Sequence, residues 1–121
     1  MKYIIDLIED VREQIGNHEA YEVTAGLLRV DNNDSTKLNY VGEAPISKFS
    51  INDTKKELQF NVEANTSSIT IGALIPSLLI LSMYSMMYEL KIDINAQYHN
   101  MEIVGFGKND EEKKYILFIK I

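Results

Sequence analysis

From Ala64 to Tyr88 the chain carries no charged side chain. Within that stretch, Ala73–Leu90 has the pattern of a helix of roughly five turns, about 27 Å long. Pro76 is expected in its first turn, where a missing N–H costs little. Leu74, Ile75, Leu78, Leu79, Ile80, Leu81, Met83, Met86 and Met87 cover most of the circumference. Ser77, Tyr84, Ser85 and Tyr88 form only a weakly polar stripe. A surface helix keeps charges on its wet side, so a helix of this kind must be covered on more than one side.

Three coverings come into question. The first is a sheet curling round the helix, with the N-terminal helix on a flank. The second is a homodimer, in which Met83, Met86, Met87, Tyr84 and Tyr88 form the candidate interface with a symmetry mate. The third is a membrane span. Spans need about twenty apolar residues, and this segment is shorter and holds a proline, serines and two tyrosines. It also lacks a flanking basic cluster to orient it, so no membrane association is expected.

The remaining chain divides by period. Ile4, Leu7, Ile8, Val11 and Ile15 recur at helical spacing, with Asp6, Glu9, Asp10, Glu13 and Gln14 opposite, and Gly16-Asn17 can cap the end. From Tyr21 to Leu27 the period is two, which marks a strand with one wet face. Asp31–Ser35 reads as a turn, Leu38–Val41 as a strand, and Ala44-Pro45 as its break. Ile46, Phe49 and Ile51 suggest a short strand, and Leu58, Phe60 and Val62 a clear one. After the apolar helix, Ile92 to Tyr98 alternates as a strand, interrupted by His99-Asn100 and continued by Met101–Val104. Gly105–Lys113 reads as a turn-rich loop. Tyr115–Ile121 is apolar on both faces and is expected in the middle of the sheet.

The expected fold class is therefore α+β. An N-terminal amphipathic helix precedes an antiparallel sheet of about six or seven strands, packed on or around one long apolar helix, in the order α-β-β-β-β-α-β-β(-β). Strands joined by short turns pair antiparallel, whereas parallel neighbours need long crossovers. The 121 residues suit a single globular domain, 1–121.

Chemistry is constrained mainly by exclusion. Cysteine is absent, which removes disulfides, thiolate zinc sites and cysteine nucleophiles, and suits a reducing cytoplasm. The acidic residues among the apolar positions of Met1–Gly16 do not fit a secretory signal. A formal charge of −6 repels phosphate backbones and suits a protein partner with a basic surface. His18 and His99 are the only histidines, and neither stands in a metal or dyad spacing. Asp31-Asn32-Asn33-Asp34-Ser35-Thr36 departs from a calcium loop, with Thr36 in place of the required glycine and Gly42 in place of the bidentate Glu. Gly105-Phe106-Gly107-Lys108 lacks the lysine-hydroxyl pair of a phosphate loop, and no serine sits in a GxSxG elbow. No catalytic residue, cofactor or metal is assigned.

Tyr21, Tyr40, Tyr98 and Tyr115 occupy strand positions and form a candidate pocket for a small apolar ligand. The element order is loosely similar to type III secretion chaperones, which are acidic dimers with a helix ahead of an antiparallel sheet. Those end in a helix, whereas this chain ends in the strand Tyr115–Ile121. The hot-dog thioesterases also wrap a sheet round an apolar helix, but there the helix comes early. Neither likeness carries a function across. The expected function is a non-catalytic protein-binding module, of the inhibitor, immunity-type or chaperone-like kind. The alternative is a small-molecule-binding or sensory domain with a Tyr/Met-lined pocket, and an enzyme without a recognisable motif comes third.

Overall fold

The computed structural model describes residues 2–16, 20–63, 67–95 and 97–121. Its elements run α1 (Ile4–Gln14), β1 (Glu22–Val30), β2 (Leu38–Pro45), β3 (Lys48–Asn52), β4 (Glu57–Asn61), α2 (Ile71–Ser85), β5 (Glu89–Asp93), β6 (Met101–Asn109) and β7 (Lys114–Lys120). The class is mixed α+β, with two helices and a seven-stranded sheet.

The apolar helix is shorter than its pattern suggests. It covers 15 residues, starting at Ile71 and stopping at Ser85, not running from Ala73 to Leu90. The Thr70 hydroxyl accepts the Ala73 N–H at 3.3 Å and caps the start. Pro76 consequently falls two residues further in than expected, in the second turn, where its missing N–H removes the usual bond to the Gly72 carbonyl. The early stop has a tertiary cause. The first-turn N–H groups of Ile4 and Ile5 in α1 donate to the carbonyls of Tyr88 and Met86, each at 3.0 Å. Donors orphaned at the start of one helix thus meet acceptors just beyond the end of the other. Leu90 then donates to the Lys2 carbonyl at 2.8 Å, which commits the following residues to β5.

The sheet order is β2-β1-β7-β6-β5-β4-β3. It is not purely antiparallel: β1 runs parallel to β7, and β4 runs parallel to β5. Helix α2 supplies the crossover for the second pair, and most of the chain separates the first. Three further boundaries differ from the sequence expectation. Strand β2 continues through Ala44-Pro45, which an edge strand tolerates because a missing N–H costs no ladder bond on its outer side. Strand β5 ends at Asp93, not Tyr98, because Asn95 turns the chain by accepting the Gln97 and Tyr98 N–H groups. Strand β6 runs on to Asn109, leaving only Asp110–Lys113 as the loop.

Strands β2 and β3 are consecutive in the chain yet stand at opposite ends of the sheet order. Only Ile46 and Ser47 separate them. Three Cα steps span at most about 11 Å, whereas the outer strands of a flat seven-stranded sheet lie roughly 29 Å apart. The sheet must therefore curl until its two ends meet at this corner. Ile46 is fully buried there, donating to the Val23 carbonyl and accepting from the Ile69 N–H, while Ser47 donates to the Asn61 carbonyl. The curl gives the sheet an inner face, where Val23, Ala25, Leu58, Phe60, Leu90, Ile92, Ile103, Leu117 and Ile119 form one core. Helix α1 adds Ile4, Leu7, Ile8 and Val11 to it, and α2 adds Ile71, Leu74 and Leu78.

One buried polar contact ties α1 to the interior strand β7. The fully buried Tyr115 donates its hydroxyl to Asp10 Oδ2 at 2.6 Å. Burial, then the hydrogen bond to Asp10, raises its pKa well above the usual tyrosine value. Tyr115→Phe is expected to lower stability by about 1–2 kcal/mol, read from urea unfolding with an unchanged m-value. An unchanged midpoint would show that the bond adds nothing to the packing.

Candidate interaction surfaces

Helix α2 has two apolar sides and only one of them is covered. Its inner side, Ile71, Leu74 and Leu78, is buried in the core. Its outer side is bare: Ile80 is 64% exposed, Met83 84%, and Met87, just past the helix end, 61%. Ala73, Pro76, Leu79 and Met86 are also exposed. The curled sheet therefore does not surround this helix. Scattered exposed apolar residues are ordinary, but a contiguous stripe of this kind is a candidate interaction surface. Alongside it, Ile8, Val11, Arg12, Gly16, Ile75 and Leu79 line a groove of about 240 Å³ between the two helices.

Of the residues singled out from the sequence for an interface, Met83, Met86 and Met87 lie on this bare side. Tyr88 is half-buried and donates its hydroxyl to Asp53 Oδ1 at 2.9 Å. The side chain of Tyr84 lies outside what the structure describes. Sequence reasoning missed Ile80, Leu79, Pro76 and Ala73 as members. The signal was present in the spacing, since Ala73, Ile80 and Met87 are seven apart, as are Pro76 and Met83.

The second surface is the outer face of the curled sheet. Residues directly opposite in register share a face, so Gly26 and Gly107 flank the β7 stretch carrying Ile116 and Phe118. The Phe118 ring lies across both glycines. A Cβ added at Gly26 would stand 2.6 Å from Ile116 and 2.7 Å from Phe118, and one at Gly107 would stand 2.7 Å from Phe118. Tyr40 meets the Phe118 ring edge-on at 6.2 Å. Tyr40, Ile116 and Phe118, together with Asp110, Glu111 and Glu112 of the turn before β7, border an open cleft of about 710 Å³.

Charges close one end of this cleft. Lys114 Nζ lies 2.7 Å from Glu43 Oε1 and 3.0 Å from Glu112 Oε2. The Tyr40 hydroxyl donates to Glu43 Oε2 at 2.5 Å. Burial works against charge on Glu43, but the hydrogen bonds from Lys114 and Tyr40 outweigh it and hold the carboxyl below its usual value. The same bonds to Glu43 and Glu112 raise Lys114 above the usual lysine value. The cluster is internally satisfied, except that the buried Thr24 hydroxyl beside it has no hydrogen-bond partner among the described residues.

The four tyrosines do not converge on one pocket. Tyr40 borders the outer cleft, whereas Tyr115 is in the core against Asp10. Tyr21 is buried on the inner side and donates to Asp110 Oδ1 at 2.5 Å. Tyr98 lies in the turn after β5. Alternation put all four in strands, but it could not show which sheet face or which end of the sheet each would take.

His18 lies outside the described residues, and His99 is exposed in the turn before β6. Asp31 and Asp34 each accept backbone N–H groups two residues on, at 2.8 and 2.9 Å, which makes their segment a pair of side-chain-stabilised turns. Among the described residues no three His, Asp or Glu side chains cluster as metal ligands. No described helix is long and apolar enough to cross a membrane. Comparison with protein-family models, curated proteins and solved structures gives no match to this chain.

Two outcomes test the outer-face geometry. Gly26→Ala is expected to destabilise the protein by about 1–3 kcal/mol through overpacking, and Phe118→Leu in the same chain should recover part of that loss. Equal effects with and without Phe118→Leu would remove the ring from the explanation. Because the folded-state value of Glu43 is lowered, its contribution is complete above the ordinary carboxylate value and fades as pH falls through the lowered one. Glu43→Gln should therefore flatten the acid side of a stability–pH profile, and an unchanged profile would count against the pairing.

Proposed function

We propose that this chain is a non-catalytic protein-binding module and that the outer side of α2 is its docking surface. The observation that supports this is the exposure of Met83 and Ile80, at 84% and 64%, in a segment without charge. Apolar area left in water forgoes about 25 cal/mol per Å² that a covering surface would recover. Methionine suits such a surface, because its unbranched thioether adapts to an irregular partner. The stripe also offers a basic partner no carboxylate, so the acidity of the chain is not what this face presents.

A second reading, a domain that holds a small ligand, draws support from the outer cleft of Tyr40, Ile116 and Phe118. Its floor is aromatic and its rim charged, but it is open and holds one of the four tyrosines singled out for a pocket.

The two readings separate in one capture experiment with tagged chains and a lysate of the source organism. The docking reading expects Ile80→Lys/Met83→Lys to lose its bound protein at least tenfold, because central apolar anchors each carry more than about 1 kcal/mol. It expects Phe118→Ala to keep that protein. Retention by the helix variant at full yield would overturn the docking surface.

A further inference from the structure

We infer that the occupant of the α2 face is a second copy of this chain, packed antiparallel across a two-fold axis between Ile80 and Met83. This rests on the docking role proposed for that face.

Three observations point to self-pairing. First, within α2 the exposed stripe repeats at seven residues, Ala73 and Ile80 alternating with Pro76 and Met83, and Met87 follows just past the helix end. That is the spacing of a helix seam packing on another helix. A two-fold axis at its middle sets Ile80 against the partner copy's Met83, and Pro76 against its Met87. In both of these pairs an apolar side chain meets an apolar one.

Second, charge selects this face for self-contact. The chain carries a formal charge of −6, so two copies repel through most orientations. The segment 64–88 is charge-free, and like-charge repulsion is least there. Arg12 is exposed on the rim of the adjacent groove and forms no ion pair among the described residues. The antiparallel register brings Ile75, which shares that groove, towards the partner copy's Tyr88 and the Asp53 held by it. The rims of this face thus carry a cation, Arg12, and a carboxylate, Asp53, both exposed.

Third, the area is adequate. A specific interface needs about 1,000 Å² of total buried surface. The exposed parts of Leu79, Ile80, Met83, Met86 and Met87 from two copies supply an area of that order. The groove between α1 and α2 borders this area and adds a concave edge to it.

Light scattering on the full chain should give twice the 13.8 kDa chain mass at micromolar concentration. Ile80→Glu/Met83→Glu and Ile80→Lys/Met83→Lys should each give the single-chain mass. Mixing them one to one should restore the doubled mass, since the register faces each acid with a lysine. A variant that fails to fold is replaced by a second test, made clean by the absence of native cysteine. Chains carrying I80C and chains carrying M83C, mixed and oxidised, should form the mixed disulfide several-fold over either homodimer. A single-chain mass for the wild type at every concentration overturns self-pairing and leaves the docking surface to its own capture experiment. A doubled mass in both charged variants, or a mixed disulfide no more abundant than the homodimers, overturns the α2 register.

Discussion

The two-residue corner Ile46-Ser47 is the constraint on which the remaining structure depends. By joining the outermost strands of a seven-stranded order, it forbids a flat sheet and divides the protein into an inside and an outside. Closure also explains why the joint between β5 and β6 is thin, with only Lys91–Glu102 and Ile92–Met101 in register. A sheet that turns sharply loses ladder bonds where it turns. The corner is stabilised from three directions, because Val23, Ile69 and Asn61 all bond to its backbone. The segment just ahead of α2 therefore belongs to the closure as much as to the helix.

Closure needs the last strand. Strand β7 lies between β1 and β6, so β1 and β2 join the rest of the sheet only when residues 114–120 are in place. The parallel β1–β7 pairing joins segments separated by most of the chain. Such non-local contacts repay their loop-closure entropy late, which favours slow, cooperative folding. The Tyr115–Asp10 bond works in the same sense, fastening the first helix to the last strand.

How much of this was legible follows from whether the cause was local. The amphipathic period of Ile4–Ile15 and the alternation of Leu58–Val62 each follow from which side chains face the core, and such patterns are written in consecutive residues. The end of α2 was not legible, because Met86, Met87 and Tyr88 contain no Gly, Pro or charge to stop a helix. What stops it is the pair of N–H donors from Ile4 and Ile5, more than eighty residues away. Gly105 and Gly107 read as loop but lie in β6, for a related reason. A glycine in a turn and a glycine under an aromatic ring look alike in sequence, and only the approach of Phe118 to Gly107 shows its role. The parallel pairs were equally hidden, since hydrophobic period reports burial and says nothing of strand direction. At the α2 surface, the lack of charge points to cover on more than one side, and the fold itself covers only the inner one. The methionines were legible as its exposed members, while Ile80 and Leu79 were not separable from core residues until the inner side was known.

The two helices make the physical case for that cover by contrast. Both bury one apolar stripe in the same core, and both turn the opposite side outwards. On α1 the outward side carries Glu9, Arg12 and Glu13, which water solvates at no cost to the fold. On α2 the outward side carries Ile80 and Met83, in a helix whose neighbouring positions supply no charge in compensation. Nothing in the core requires this: Leu74 and Leu78 would pack equally well if residues 80 and 83 were lysine or glutamate, which are also good helix formers. The apolar residues on that side thus serve nothing in the single chain's own core, which supports the docking role proposed for it.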